Sequence, residues 1–277
     1  MLLNLFYILS ALTGAGLCAV TVGFGTLAAI PLFVLGFALC FVLCLILCFV
    51  IVWIPAKKSD PDQEYDHDDP FIRGIVKLYA PMVFRLLGCR VNATGTEKLP
   101  REGRFLLVCN HIFDIDPGVP LLLFPDAQLA FISKKENRNM PIFGALMPRM
   151  LCQYIDREND RAALKTILKC ISILKEDKAS IAVFPEGGIT KDGKLLHSFR
   201  PGVFKIAQKA NVPIVVCTLS GTQNIVRNIK RFRRSPIDFH LVEVIPAEEL
   251  KGVTTVEISE RVHAIMAADL GKENVAD

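Results

Sequence analysis

From Met1 to Ala56 the chain contains no Asp, Glu, Lys or Arg. A helix crosses the hydrocarbon of a bilayer in roughly 20 residues, so this run has room for two spans. Residues 2–24 and 32–54 fit them, with Gly23, Gly25 and Pro31 marking a turn. A single long span preceded by an interfacial helix is the competing arrangement. The run lacks a secretory leader's charged start and short apolar core, and is expected to be retained. A hairpin returns both ends to one side. Lys57, Lys58, Arg73, Lys77, Arg85 and Arg90 follow it, and clustered basic residues mark the cytoplasmic side. The sequence thus predicts an integral membrane protein with a membrane anchor over 1–56, a solvated linker over 57–70 rich in Asp and Pro, and a cytoplasmic domain over 71–277.

The remainder is long enough to bury one core. Phe71–Leu87 has apolar residues at helical spacing, as do Arg161–Glu176 and Ile258–Leu270. Between them lie short β-branched or apolar runs at Cys89–Thr94, Arg104–Cys109, Gln128–Ser133, Gln153–Asp156, Ser180–Phe184, Pro213–Leu219 and Asp238–Val244. Strands alternating with helices predict an α/β fold: a mixed sheet flanked by helices, preceded by the transmembrane hairpin. The nine cysteines include no C-x-x-C pair. They suggest neither a metal site nor a disulfide framework, and small apolar filler is the expected role of Cys40, Cys44 and Cys48.

Two of the strands end in clusters of polar residues. Phe105–Cys109 delivers Asn110, His111, Asp114 and Asp116. A histidine removes a proton from a hydroxyl when a carboxylate holds its other ring nitrogen, and spacing alone leaves Asp114 and Asp116 both open as that carboxylate. Asp116 requires a sharp turn, because five helical residues rotate by about 140°, and Pro117 favours one. The second strand, Ser180–Phe184, ends in Pro185-Glu186-Gly187-Gly188-Ile189-Thr190. Paired glycines let backbone N–H groups approach an anion or a developing oxyanion. Glu186 beside them either caps the chain or orients an acceptor.

Asn110-His111-x4-Asp116 followed by Phe184-Pro185-Glu186-Gly187 resembles the glycerolipid acyltransferase family, whose best-known members are the 1-acylglycerol-3-phosphate acyltransferases. Tyr154-Ile155-Asp156-Arg157, Phe199-Arg200-Pro201-Gly202 and Val212-Pro213-Ile214-Val215 are similar to the blocks between and after. The resemblance implies that an acyl group moves from acyl-CoA or acyl carrier protein to a lysophospholipid hydroxyl, with 1-acylglycerol-3-phosphate giving phosphatidate. It also implies His111 and Asp116 as the catalytic pair and no cofactor or metal. Asn110, Arg157, Glu186, Gly187, Gly188 and Arg200 become the implied substrate-binding residues.

One departure matters. Ile189 stands where the family usually carries an arginine for the acceptor phosphate, leaving Arg157, Arg200 or Lys191 to compensate. Another lysolipid acceptor and a non-catalytic lipid-binding relative are the alternatives. Arg227, Lys230, Arg231, Arg233 and Arg234, interleaved with Ile229 and Phe232, form the densest basic run. In a chain with a membrane segment this run suits membrane lipids or the phosphates of an acyl carrier better than nucleic acid. Nothing in the sequence sets an oligomeric state.

Overall fold

The structure, a computed structural model, describes residues 1–276. The helices are α1 (Leu2–Thr21), α2 (Ala29–Lys58), α3 (Pro70–Leu86), α4 (Gly118–Leu123), α5 (Phe143–Leu146), α6 (Asp160–Lys175), α7 (Lys205–Ala210), α8 (Ile225–Lys230) and α9 (Thr255–Leu270). The strands are β1 (Cys89–Thr94), β2 (Leu106–Cys109), β3 (Leu129–Lys134), β4 (Gln153–Ile155), β5 (Ser180–Val183), β6 (Ile214–Ser220) and β7 (Ser235–Ile245). The chain divides into two compact units, Met1–Asp60 and the residues from Pro61 onward.

In the first unit α1 and α2 pack antiparallel. Tyr7 stacks on Phe41 with ring centroids 5.4 Å apart, and the Cys18 thiol donates to Ala29 O at 3.0 Å. Two glycines set their separation. A Cβ on Gly14 would lie 2.7 Å from Phe33 O, and one on Gly36 would lie 3.0 Å from Gly14 Cα. Such close approach is how apolar helices associate where burial from water supplies no driving force. Both helices are long and apolar enough to cross a membrane. The second starts three residues earlier than the apolar pattern suggested and runs on through Pro55 to Lys58.

In the second unit, among the described residues, seven strands form one sheet in the order β1-β7-β6-β2-β5-β3-β4. Neighbours are parallel except β6 and β7, which are antiparallel. The sheet is thus mixed, as expected. β2 and β5 are buried at every position, which explains why they read as continuous apolar runs rather than alternating ones. Leu106, Val108, Ile181 and Ile214 join Ile171 and Leu174 of α6 and Val262 and Met266 of α9 in the core.

Residues 61–69, read from composition as part of a solvated linker, are held to this unit. Tyr65 packs against the core, Glu64 pairs with Lys169, Asp68 with Arg73 and Asp69 with Arg149. Asp69 also caps α3, accepting from the Phe71 and Ile72 N–H groups, with Pro70 at the first helical position. Hydrogen-bonded in this way, the Asp69 carboxyl titrates below its usual range even though desolvation, the largest effect, pushes it upward.

Candidate active site

The parallel sheet aligns the strand ends that matter. Val108 of β2 is the register partner of Val183 of β5, so Asn110 and His111 leave the sheet beside Pro185 and Glu186. On the far side of β5, Lys134 ends β3 opposite Ile155 of β4, and β4 leads into Asp156 and Arg157. Four parallel strands therefore release His111, Glu186, Lys134 and Arg157 at the same edge of the sheet, where α/β folds place their sites.

After β2 the chain makes a tight turn. Asp116 N–H donates to Phe113 O at 3.0 Å and Gly118 N–H to Ile115 O at 2.8 Å. The turn brings Asp116 back under His111, with His111 Nδ1 and Asp116 Oδ2 2.9 Å apart. Oδ2 also accepts from the Ile112 and Phe113 N–H groups at 2.7 and 2.8 Å, and Oδ1 accepts from the Thr222 hydroxyl at 2.6 Å. Asp116 is fully buried, and these four contacts satisfy it. Asp114, the other candidate, is exposed. The His111 ring stacks on Phe184, centroids 4.3 Å apart. With Nδ1–H directed at the carboxylate, Nε2 is the acceptor nitrogen of this tautomer.

Asn110 is buried and engaged. Its amide donates to Leu195 O at 2.9 Å and Leu219 O at 2.8 Å, and its Oδ1 accepts from Leu219 N–H at 2.7 Å. Both donors are occupied, so the side chain clamps β2 to β6 and the 195 loop and keeps no N–H for a ligand.

Glu186 is more unusual. Its Oε1 accepts from the His111 N–H at 3.4 Å, while its Oε2 is buried without a hydrogen-bond partner, as is His197 Nδ1. The two orphaned atoms are 3.9 Å apart. His197 Nε2 is bound to Asp192 Oδ2 at 2.9 Å. Burial pushes the Glu186 carboxyl up to about 8, so near neutrality much of it is protonated. Sequence alone gives His197 no role: Asp192 lies five positions before it, but no motif contains the pair, and nothing in the sequence joins His197 to Glu186 across eleven positions.

Gly187 adopts φ +82°, a region that favours glycine. A Cβ there would lie 2.8 Å from Arg200 Nε and 3.5 Å from Arg157 Cζ, and one on Gly188 would lie 3.5 Å from Lys134 Nζ. The bare backbone thus lets three cations gather. Gly187 N–H itself closes the turn onto Phe184 O at 3.1 Å. Asp156 pairs with Lys135 at 2.9 Å rather than with Arg157. Among the described residues no carboxylate forms an ion pair with Arg157, Arg200 or Lys134. Burial first, and then the neighbouring Arg200 charge, lower the Arg157 pKa. Glu136 acts on Arg157 in the opposite sense as the smallest of the three effects, and like charges crowded together attract an anion. Lys134 was missed in the sequence, since a lysine at a strand's end carries no motif.

The thiol of Cys109 beside the dyad is fully buried, and burial holds it well above the usual thiol range. Burial of this kind disfavours the thiolate, the nucleophilic form. Among the described residues no group of His, Cys, Asp and Glu could hold a metal ion.

The Acyltransferase family model matches residues 90–220. The 1-acyl-sn-glycerol-3-phosphate acyltransferase of Cocos nucifera is 31% identical over 185 residues, 66% of this chain and 59% of that protein. That of Saccharomyces cerevisiae is 27% identical over 187 residues, 67% of this chain and 61% of that one. The chain spans about three fifths of the length of these two curated relatives. Among solved structures, the 1-acyl-sn-glycerophosphate (LPA) acyltransferase from Thermotoga maritima shares the fold. The TM-score is 0.60 at 23% identity, over 73% of this chain and 80% of that one. Fold, ordered motifs and relatives agree: residues 90–220 carry an Acyltransferase domain, and the chain is similar to the 1-acyl-sn-glycerol-3-phosphate acyltransferases.

Proposed function

We propose that this chain is an O-acyltransferase that moves a fatty-acyl group from a thioester donor, acyl-CoA or acyl carrier protein, to the hydroxyl of a lysophospholipid, with 1-acylglycerol-3-phosphate as the leading acceptor. The observation that carries this reading is the 2.9 Å contact between His111 Nδ1 and buried Asp116, at a sheet edge it shares with three cations lacking carboxylate partners. His111 Nε2 takes the acceptor hydroxyl's proton as its oxygen attacks the thioester carbonyl. Asp116 stabilises the imidazolium that forms. The tetrahedral intermediate collapses, the thiolate leaves, and His111 returns the proton to it. No covalent acyl-enzyme is required.

Arg157 and Arg200, with Lys134, are the groups we assign to the acceptor's phosphate, a role that Ile189 cannot take. Two guanidinium forks and an ammonium suit a phosphomonoester better than a zwitterionic head group. In this reading the N-terminal hairpin anchors the enzyme in a membrane whose lipids supply the acceptor, with the catalytic unit in the cytoplasm.

Purified protein offered labelled acyl donor and a panel of lysolipids tests the proposal. Lysophosphatidate is expected to be the best acceptor. Arg157→Ala should lower its kcat/KM about 10-fold or more, since a charged hydrogen bond contributes about 1.5–3 kcal/mol. Unchanged lysophosphatidate kinetics in that variant, with another lysolipid preferred, would overturn the acceptor assignment while leaving acyl transfer intact.

A further inference from the structure

The segment between β6 and β7 takes no part in the site's chemistry beyond Thr222, yet it is the most cationic stretch of the surface. Five basic residues occur in the eight positions from Arg227 to Arg234, and none of residues 221–237 is acidic. Arg227, Lys230, Arg231, Arg233 and Arg234 are all exposed. Among the described residues none of the five forms an ion pair, although Arg227 donates to Asn224 Oδ1 at 2.9 Å. The charge is therefore not consumed within the fold. Arg90, also exposed, is the register partner of Pro236 and extends the patch onto β1.

Apolar side chains stand among these charges. Val226 and Ile229 lie three residues apart on α8 and are 48% and 42% exposed, and Phe232 is 100% exposed. Phe232 is also held at φ +53°, a left-handed conformation that a bulky residue rarely adopts. The turn is closed by Phe232 N–H to Ile229 O at 3.0 Å and Arg233 N–H to Asn228 O at 2.9 Å, so a fixed backbone holds the ring out. An aromatic tip ringed by unpaired cations does not suit a water-facing turn. It suits a surface that is negatively charged outside and apolar beneath.

We propose that the α8 turn, Val226 to Arg234, is an interfacial contact in which Phe232 enters the head-group region of an anionic membrane while the surrounding arginines and lysine bind lipid phosphates. The inference rests on the reading of α1 and α2 as a membrane anchor. That anchor keeps the turn within chain length of a bilayer, so a contact too weak to bind alone becomes populated through effective concentration. Its strength should depend on anionic lipid and on salt, since exposed charges are screened beyond about 10 Å at 0.1 M ionic strength.

The chain has one tryptophan, Trp53 in α2, which allows a clean test on the full-length protein in vesicles. In the unsubstituted protein Trp53 reports the anchor. In a Trp53→Phe, Phe232→Trp protein the introduced indole reports the turn. With brominated lipids in vesicles containing a third phosphatidylglycerol, the indole of the turn should be quenched and its emission blue-shifted, and both effects should fade in pure phosphatidylcholine or in 0.5 M salt. Adding Arg231→Gln, Arg233→Gln and Arg234→Gln should weaken the quenching, with roughly fivefold less insertion per charge removed. The salt series on the parent reporter gives the answer even if that multiple variant folds poorly.

Quenching of Trp53 with the indole of the turn left in a water-like environment would overturn the proposal and keep the anchor. Failure of both indoles to respond would overturn both readings. A response of the turn's indole to acyl carrier protein instead of brominated lipid would overturn the proposal in favour of a protein partner.

Discussion

At the scale of single residues, the site depends on how Asp116 is satisfied. Its Oδ2 meets three N–H groups and its Oδ1 meets the Thr222 hydroxyl, which can reverse its direction. Asp116→Asn can therefore keep its oxygen toward His111 and turn its NH2 toward Thr222. The turn persists and only the negative charge is lost. Turnover should fall by about 10²-fold or more, and His111→Ala by about 10²–10⁴-fold, with thermal melts close to the parent's. A well-folded His111→Ala protein with near-normal turnover would end the proposed mechanism. Glu186 gives a pH-dependent prediction. Its carboxyl is raised from 4.5 to about 8, so between those values the native state holds a proton that the unfolded chain has released. Its contribution to stability is complete below about pH 4.5 and lost as pH rises through about 8. Glu186→Gln should remove that decline, so guanidinium unfolding at pH 5, 6.5 and 8 should show the parent losing stability relative to the variant. Parallel curves would show that Glu186 is ionised throughout.

At the scale of elements, each strand read from the sequence is present within three residues: central β2 and β5 because they are apolar on both faces, and edge strand β1 because Gly88 and Gly95, both at positive φ, bound it. Short helices were less legible. α4, α5, α7 and α8 span four to six residues each, too few for a 3.6-residue period to repeat. The dyad could be read because His111 and Asp116 are five residues apart. Thr222, Lys134 and His197 could not, since only the sheet order and the loops bring them near, and Thr222 is separated from Asp116 by 106 positions. The same contrast holds in the α1–α2 hairpin, where Gly14 and Gly16 look alike in sequence. A Cβ on Gly14 would meet Phe33 O at 2.7 Å, whereas one on Gly16 meets nothing within 4 Å. Gly14→Ala is therefore expected to lower stability in detergent by about 1–3 kcal/mol through overpacking. Gly16→Ala should be neutral or stabilising. Equal effects in chemical denaturation followed by Trp53 fluorescence would show that the helices do not pack at Gly14.

For the whole molecule, the division between a unit whose first 56 residues are uncharged and a charged one makes topology the measurable property. If α1 and α2 both cross the membrane, residues at both ends of the hairpin face the same compartment. Cysteines introduced at Asn4 and Asp60 should react with an impermeant maleimide from the cytoplasmic side of sealed vesicles only, whereas labelling from opposite sides would indicate one crossing. In the second unit Cys109, Cys152, Cys170 and Cys217 are buried, so Cys89, which is half-buried, is replaced by Ser to remove the background there.

The alignment of strand ends has a consequence for engineering and for divergence. On the proposed assignment, bond-making resides at the end of β2, while acceptor recognition resides on β3, β4 and the loop after β5. These are separate chain segments on one rigid support. Selection for a new head group can therefore act on Lys134, Arg157 and Ile189 without disturbing the turn that holds His111, so catalytic power and substrate choice are free to evolve at different rates.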